Sequence, residues 1–176
     1  YIPVSSWEEA RAGDATYACC TFRGSVVALR VRDGEQLWKT YLTDAAKEIG
    51  TNASKAKRFG PSGVAVWATP TVDAKRRLLY VATGDNYTEP ASPTGDAVLA
   101  LDMRDGQIAW TKQITERDVY NGSCAAKPAD CGPDFDFGQS PGRCGSGRFD
   151  SGCRGRHASR LRRLRCSRRR RRGWPG

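Results

Sequence analysis

Apolar and polar positions alternate in short runs along the first 140 residues, and Gly, Asp and Pro break the runs at close intervals. That period predicts strands and tight turns rather than helices. A weak helical pattern near Asp44–Ile49 is the exception, and it is expected on a loop. Two segments match without gaps: Ala28-Leu-Arg-Val-Arg-Asp-Gly34-Glu-Gln-Leu-Trp38 and Ala100-Leu-Asp102-Met-Arg-Asp-Gly106-Gln-Ile-Ala-Trp110. Each reads as a hairpin. An apolar strand (Ser25–Leu29, Ala97–Leu101) runs into Asp-Gly, which supplies the positive φ of a tight turn. The returning strand then delivers a Trp at fixed register. A small Ala and a large Trp at constant spacing suit packing against a neighbouring copy, as in repeat arrays.

A further strand pair precedes the second hairpin. Val64–Val72 alternates, Asp73–Arg77 turns the chain, and Leu78–Thr83 returns it. Four strands from Val64 to Gln113 make one propeller blade. For the first repeat, Tyr17–Cys20 is the expected preceding strand, with Tyr1–Val4 before it. The expected fold class is all-β, a partial β-propeller of about two four-stranded blades over residues 1–140. Two blades do not close a ring, and bare edge strands carry an aggregation risk. A segment of this kind is expected to be inactive by itself.

Charge divides the chain at the same place. Residues 141–176 hold 13 Arg, no Lys and one acid, Asp150; residues 1–140 hold 16 basic and 18 acidic residues. The net +10 therefore belongs to the tail, and the body's charge gives no case for nucleic-acid or membrane binding. The tail is expected to be disordered, because it lacks the apolar residues to build a core. One reading makes it a basic arm for RNA, DNA or acidic surfaces. The other makes it the out-of-frame product of a GC-rich gene, since Arg without Lys fits that bias better. Nucleic acid is therefore not the expected partner. No signal peptide and no apolar run of about 20 residues, the length that spans a bilayer, is visible. Four cysteines lie in the body: Cys19, Cys20, Cys124 and Cys131. An adjacent pair and a Cys-x6-Cys pair suit disulfides in an oxidising compartment. Cys19 and Cys20 either bond to each other or bond elsewhere, for example to Cys124 or Cys131. A vicinal bridge across a trans peptide would be short of the usual Cα separation.

The repeated Ala-x-x-x-x-x-Gly-x-x-x-Trp hairpin resembles the docking motif of pyrroloquinoline quinone (PQQ) dependent dehydrogenases. Trp67-Ala-Thr-Pro-Thr-Val-Asp73, Tyr80-Val-Ala-Thr-Gly-Asp85-Asn86-Tyr87 and Gly132-Pro-Asp134-Phe-Asp136-Phe-Gly138 resemble the quinoprotein alcohol dehydrogenases, most closely the polyvinyl alcohol dehydrogenase group. The resemblance covers residues 1 to about 140. It implies a site for PQQ and Ca²⁺. Ser5-Ser6-Trp7-Glu8-Glu9 is similar to the family's Ser-Ser-x-x-Glu, which places a calcium ligand at Glu9, with Glu8 as the alternative. Trp67 takes the position of the ring that stacks on the quinone. Asp85 or Asn86 takes that of a further calcium ligand, since both offer hard oxygens. Asp136, or alternatively Asp134, takes the position of the catalytic base. The family carries a vicinal disulfide ring against the quinone, in an earlier blade than the Glu motif; Cys19 and Cys20, ten residues after Glu9, are either a relocated ring or bonded elsewhere, and Arg23 is either a cation for a quinone carboxylate or an exposed turn residue.

The function implied is oxidation of secondary alcohols, including polyvinyl alcohol as a polymeric substrate, with electrons passed to a cytochrome c. The location implied is periplasmic or secreted. Two other classes compete with it. A non-enzymatic PQQ-like propeller would serve as a scaffold for protein binding, and the Arg tail would bind nucleic acid with strong salt dependence.

Overall fold

A computed structural model of the chain describes residues 1–142. Residues 143–176, with both readings of the Arg tail, lie outside the described residues. The elements are strands, short turns of 3₁₀ helix, and one helical turn. β1 (Ile2–Val4), β2 (Ser25–Leu29) and β3 (Gln36–Tyr41) form an antiparallel sheet in the order β1-β2-β3. α1 (Glu8–Arg11) follows β1. β4 (Lys47–Thr51) and β5 (Lys57–Gly60) make a separate hairpin. β6 (Ser62–Gly63) pairs with β9 (Asn86–Thr88). β7 (Thr71–Asp73), β8 (Leu78–Ala82), β10 (Ala97–Asp102) and β11 (Ile108–Gln113) form a four-stranded antiparallel meander.

The sequence repeat is a repeat of register. Ala28 pairs with Trp38 and Ala100 with Trp110, and each ladder breaks register at the next residue. Gly34 and Gly106 occupy the left-handed region at φ 74° and 75°, where a β-carbon is disfavoured. Asp33 and Asp105 each accept the backbone N–H two residues on, at 3.2 and 3.0 Å, and so fix the turn. The two hairpins also meet. Trp38 Nε1 donates to Met103 O at 3.2 Å, and Thr40 Oγ1 donates to Gly106 O at 2.7 Å. A β-carbon at Gly106 would lie 2.5 Å from the Trp38 ring, so the Trp of one copy seats on the Gly of the next. Val26, Ala28, Leu42, Val64, Val66, Leu79, Val81, Leu99 and Leu101 complete the core between the sheets. Each fully buried aliphatic of this size stabilises by about 1.5–3 kcal/mol.

Two expected elements differ. Tyr17–Cys20 is not a strand of the first sheet, and β1 pairs directly with β2. The backbone of Cys19 bonds instead to Lys57 O and Phe59 N. That sheet is therefore three-stranded. Val64–Val72 is not one strand, because Gly63 and Val64 both have positive φ and the ladder starts at Thr71. Asp44–Ile49, expected on a loop, is loop as far as Ala46 and then enters β4. Among the described residues, no helix is long and apolar enough to cross a membrane.

Candidate functional site

β8 and β9 are joined by Thr83-Gly84-Asp85, and this turn is the floor of the site. Val64 N donates to Asp85 O at 2.7 Å, Gly84 N to Ala65 O at 3.0 Å and Asp96 N to Gly84 O at 3.0 Å. The turn is thereby tied to the segment before β7 and to the start of β10. The loop 132–138 lies over it. Asp85 N donates to Asp136 Oδ1 at 3.1 Å. A β-carbon at Gly84 would lie 2.3 Å from that same oxygen and 2.5 Å from Cη2 of Trp67, and one at Gly138 would lie 2.8 Å from Trp67 Nε1. Glycine at position 84 is what lets Asp136 and Trp67 converge. Trp67 is 42% exposed, which leaves aromatic surface open beside the carboxylates.

Electrostatics makes this a strained group of acids. Asp85 is 1% exposed, and its Oδ2 has no hydrogen-bond partner among the described residues. Burial, then the charges of Asp136 and Glu9, push its pKa up to about 10. Glu9, half-buried on α1, is raised by burial and by Asp136 and Asp134. Asp136 is raised by burial and by Asp134 and Asp118, against the Asp85 N–H that favours its charged form. Carboxyls whose pKa values are raised by one another are short of a cation. The donor set is all hard oxygen, with an orphaned buried oxygen at its centre, and that chemistry fits Ca²⁺. The exposed Trp67 face above a glycine floor fits a planar ligand.

The residues left as alternatives by the sequence have different surroundings. Glu8 points away from this group. Its carboxylate accepts from Thr21 N at 3.0 and 2.9 Å, from Phe22 N at 2.6 Å and from Tyr17 Oη at 3.1 Å, and so anchors the chain around Cys19 and Cys20. Glu9 is the glutamate whose carboxyl is raised by burial and by the charges of Asp136 and Asp134. Asn86 has both ends of its amide engaged: Nδ2 donates to Asp118 O at 3.2 Å and Oδ1 accepts from Ser92 N at 2.8 Å. Asp85 is the residue with an oxygen to spare. Asp134 is held by its backbone to Asp118 and has φ 61°, whereas Asp136 reaches the turn.

The remaining residues take supporting places. Ser6 Oγ accepts from Glu8 N at 3.0 Å at the start of α1, and Ser5 before it is exposed. Cys19 and Cys20 bond to each other across a cis peptide, with Cα atoms 3.1 Å apart, and Cys124 bonds to Cys131. The pairing of Cys19 or Cys20 with Cys124 or Cys131 is thereby excluded, and the trans geometry expected between the neighbours does not apply. The vicinal ring is buried with Ala65 and Tyr87. Arg23 donates to Thr43 O through Nε at 3.0 Å and Nη2 at 2.8 Å, and it stacks on Tyr41.

Sequence reasoning passed over Gly84, Asp96 and Asp118. Gly84 had a signal, since a glycine ending an apolar run marks close backbone approach. Asp96 and Asp118 had none, being single acids in unremarkable turns. Both are fully buried. Burial and the Asp118 charge push Asp96 up to about 8.

Comparison with known proteins bears on the same residues. The family model for the PQQ glucose/ethanol/alcohol dehydrogenase β-propeller domain matches residues 9–131. A polyvinylalcohol dehydrogenase of Sphingopyxis sp. (strain 113P3) is 41% identical over 149 residues, covering 80% of this chain and 23% of the relative. One from Pseudomonas sp. is 41% identical over 145 residues, with the same coverage. The chain thus spans about a quarter of the length of these curated relatives. A solved quinohemoprotein alcohol dehydrogenase, ADHIIG of Pseudomonas putida HK5, overlays with a TM-score of 0.45 at 17% identity, over 61% of this chain and 18% of that one.

Proposed function

We propose that this chain, which belongs to the PQQ-dependent glucose/ethanol/alcohol dehydrogenase β-propeller family, carries the metal-ligand and base side of an alcohol-oxidising site. The observation that supports this is the buried, unpartnered Oδ2 of Asp85, grouped with Glu9 and Asp136 beside the open face of Trp67. Glu9 and Asp85 would hold Ca²⁺, and Trp67 would stack on the quinone. Bound there, PQQ would supply a two-electron acceptor and Ca²⁺ a Lewis acid.

The chain's own residues place and prepare the base. Asp136 accepts the Asp85 N–H on Oδ1, which leaves Oδ2 to take the proton of a substrate hydroxyl. Its raised pKa brings it toward the range where a general base works near neutral pH. Gly84 keeps the space between Asp136 and Trp67 narrow. The vicinal disulfide of Cys19 and Cys20 would stiffen the chain behind the acids through the Glu8 bonds. Arg23 is left out, because its guanidinium is committed to Thr43 and Tyr41. The substrate class is a secondary alcohol, including polymeric polyvinyl alcohol as in the relatives' name. A cytochrome c in the periplasm would take the electrons.

The test uses the longest natural chain containing residues 1–142, reconstituted with PQQ and Ca²⁺ and assayed with a dye acceptor. Alcohol-dependent dye reduction that needs both additions is expected, and Asp136→Asn should remove it. Full turnover in Asp136→Asn would sink the base assignment.

A further inference from the structure

Asp118 lies outside the candidate ligand and base set, yet it bonds to the residues beside Asp85 and just before Asp136. The residue is fully buried, on the segment leading from β11 to the 3₁₀ turn Gly122–Ala125. Its main-chain carbonyl accepts both Asn86 N and Asn86 Nδ2 at 3.2 Å, directly after Asp85. Tyr120 N returns a bond to Asn86 O at 2.9 Å. This half of the residue is fixed to the floor of the site. Its side chain turns to the loop that carries the base. Oδ1 accepts Asp134 N at 3.3 Å, and Oδ2 accepts Phe135 N at 3.0 Å. A single carboxylate thus grips two successive amides, one and two residues before Asp136. Charge-assisted bonds of this kind are about twice as strong as neutral ones.

The loop is shaped to meet that grip. A β-carbon at Gly132 would lie 2.1 Å from Asp118 Oδ1 and 2.8 Å from Val119 N. Gly132 N also donates to Val119 O at 2.9 Å. Only a residue without a side chain lets the chain descend onto Asp118 at this point. Asp134 then takes its positive φ, and two residues later Asp136 arrives over Asp85. The Cys124–Cys131 disulfide closes the loop's other end.

We infer that Asp118 is a positioning residue for the alcohol-oxidising site: its carboxylate holds the 132–136 loop so that Asp136 meets the Asp85 turn. The inference rests on the function proposed above. Asp118 itself is fully buried and acts through the loop. An amide in its place offers one acceptor and turns an NH₂ donor toward an N–H, so one of the two grips is lost.

Two variants test it, Asp118→Asn and Gly132→Ala, which disturb the same contact from opposite sides. Hydrogen exchange on the full 176-residue chain should show protected amides at Asp134 and Phe135, with protection lost in both variants. Protection at Asn86 should stay, because its partner is the Asp118 main chain. In the PQQ- and Ca²⁺-loaded longest natural chain, each variant should lower kcat by roughly 100-fold, the scale of a 1 Å misplacement. The substrate KM and the quinone content should stay near those of the parent. The double variant should be little worse than either single one, since both break one contact. Unchanged kcat or unchanged exchange at Asp134 and Phe135 would overturn the inference. So would activity that falls only in step with quinone content or folding in both variants, which is what a purely structural residue gives. Asp136→Asn, run alongside, keeps the two claims apart. If it is inactive while Asp118→Asn is fully active, only the positioning claim fails. If it is fully active, the proposed base fails first.

Discussion

Glu8 and Glu9 are neighbours in sequence, yet only the substitution of Glu8 should destabilise the metal-free chain. Glu8 is 8% exposed, and its carboxylate takes two backbone N–H groups and a phenol. A hydrogen bond to a charged group contributes about 1.5–3 kcal/mol, and orphaning a buried donor costs about 1–3 kcal/mol. Glu8→Gln keeps one acceptor oxygen and sets an amide donor against an N–H. Thr21 is exposed, so water can satisfy its amide, whereas the half-buried Phe22 amide at 2.6 Å has less access. The net loss should be about 2–4 kcal/mol. Burial and the charges of Asp136 and Asp134 raise the Glu9 carboxyl. Removing its charge without metal relieves repulsion, so Glu9→Gln should be neutral or stabilising by up to about 1 kcal/mol. Urea unfolding of the full chain in a calcium chelator measures both, read as midpoints at constant m. Saturating Ca²⁺ should then separate them further. A ligand at 100 times its Kd adds about 2.7 kcal/mol to the parent, and Glu9→Gln should forfeit most of that gain while Glu8→Gln keeps it. The reasoning fails if Glu9→Gln is as destabilising as Glu8→Gln in chelator, or if Glu8→Gln unfolds with the parent's midpoint.

Two further outcomes follow from the same group of acids. Asp85 and Asp96 have native pKa values of about 10 and about 8, raised by burial and by neighbouring carboxylates, against roughly 4 in the unfolded chain. The native state holds more protons between these limits, so stability of the metal-free chain is highest below about pH 4 for these groups and is lost as pH rises through the native values. Urea midpoints from pH 5 to 9 should fall in chelator and flatten in Ca²⁺, whereas a rising midpoint in chelator would contradict the sign. Gly84→Ala would put a methyl 2.3 Å from Asp136 Oδ1 and 2.5 Å from the Trp67 ring; a cost of about 1–3 kcal/mol is expected, with a shift in the fluorescence difference between this variant and one also carrying Trp67→Phe.

The parts of this fold that could be read in advance are those written in local spacing. Asp-Gly and a Trp four residues later specify a hairpin and the ring that packs on the neighbouring copy, all within eleven residues. Tyr17–Cys20 misled because a short apolar run says nothing about its partner, and β5 captures the Cys19 and Cys20 backbone while Glu8 holds the Tyr17 phenol and the Thr21 and Phe22 amides on either side. The site is written at longer range. Asp85 and Asp136 are 51 residues apart and meet through one N–H, so motif resemblance could name them while the pattern of the chain could not. Adjacent pairs defeated both approaches. Successive residues on a helical turn point about 100° apart, and only the fold decides that Glu8 turns to Phe22 and Glu9 to Asp136. Asp118 was illegible for a deeper reason. Its work is done by backbone amides of other residues, which carry no side-chain signature. What marks it is a carboxylate buried with two N–H groups on it, together with Gly132 and Asn86, which make sense only once the loop is seen to descend. A site assembled from returning loops therefore has two sets of residues: those whose chemistry the sequence displays, and those, like Gly84, Gly132 and Asp118, whose function is to let the first set meet.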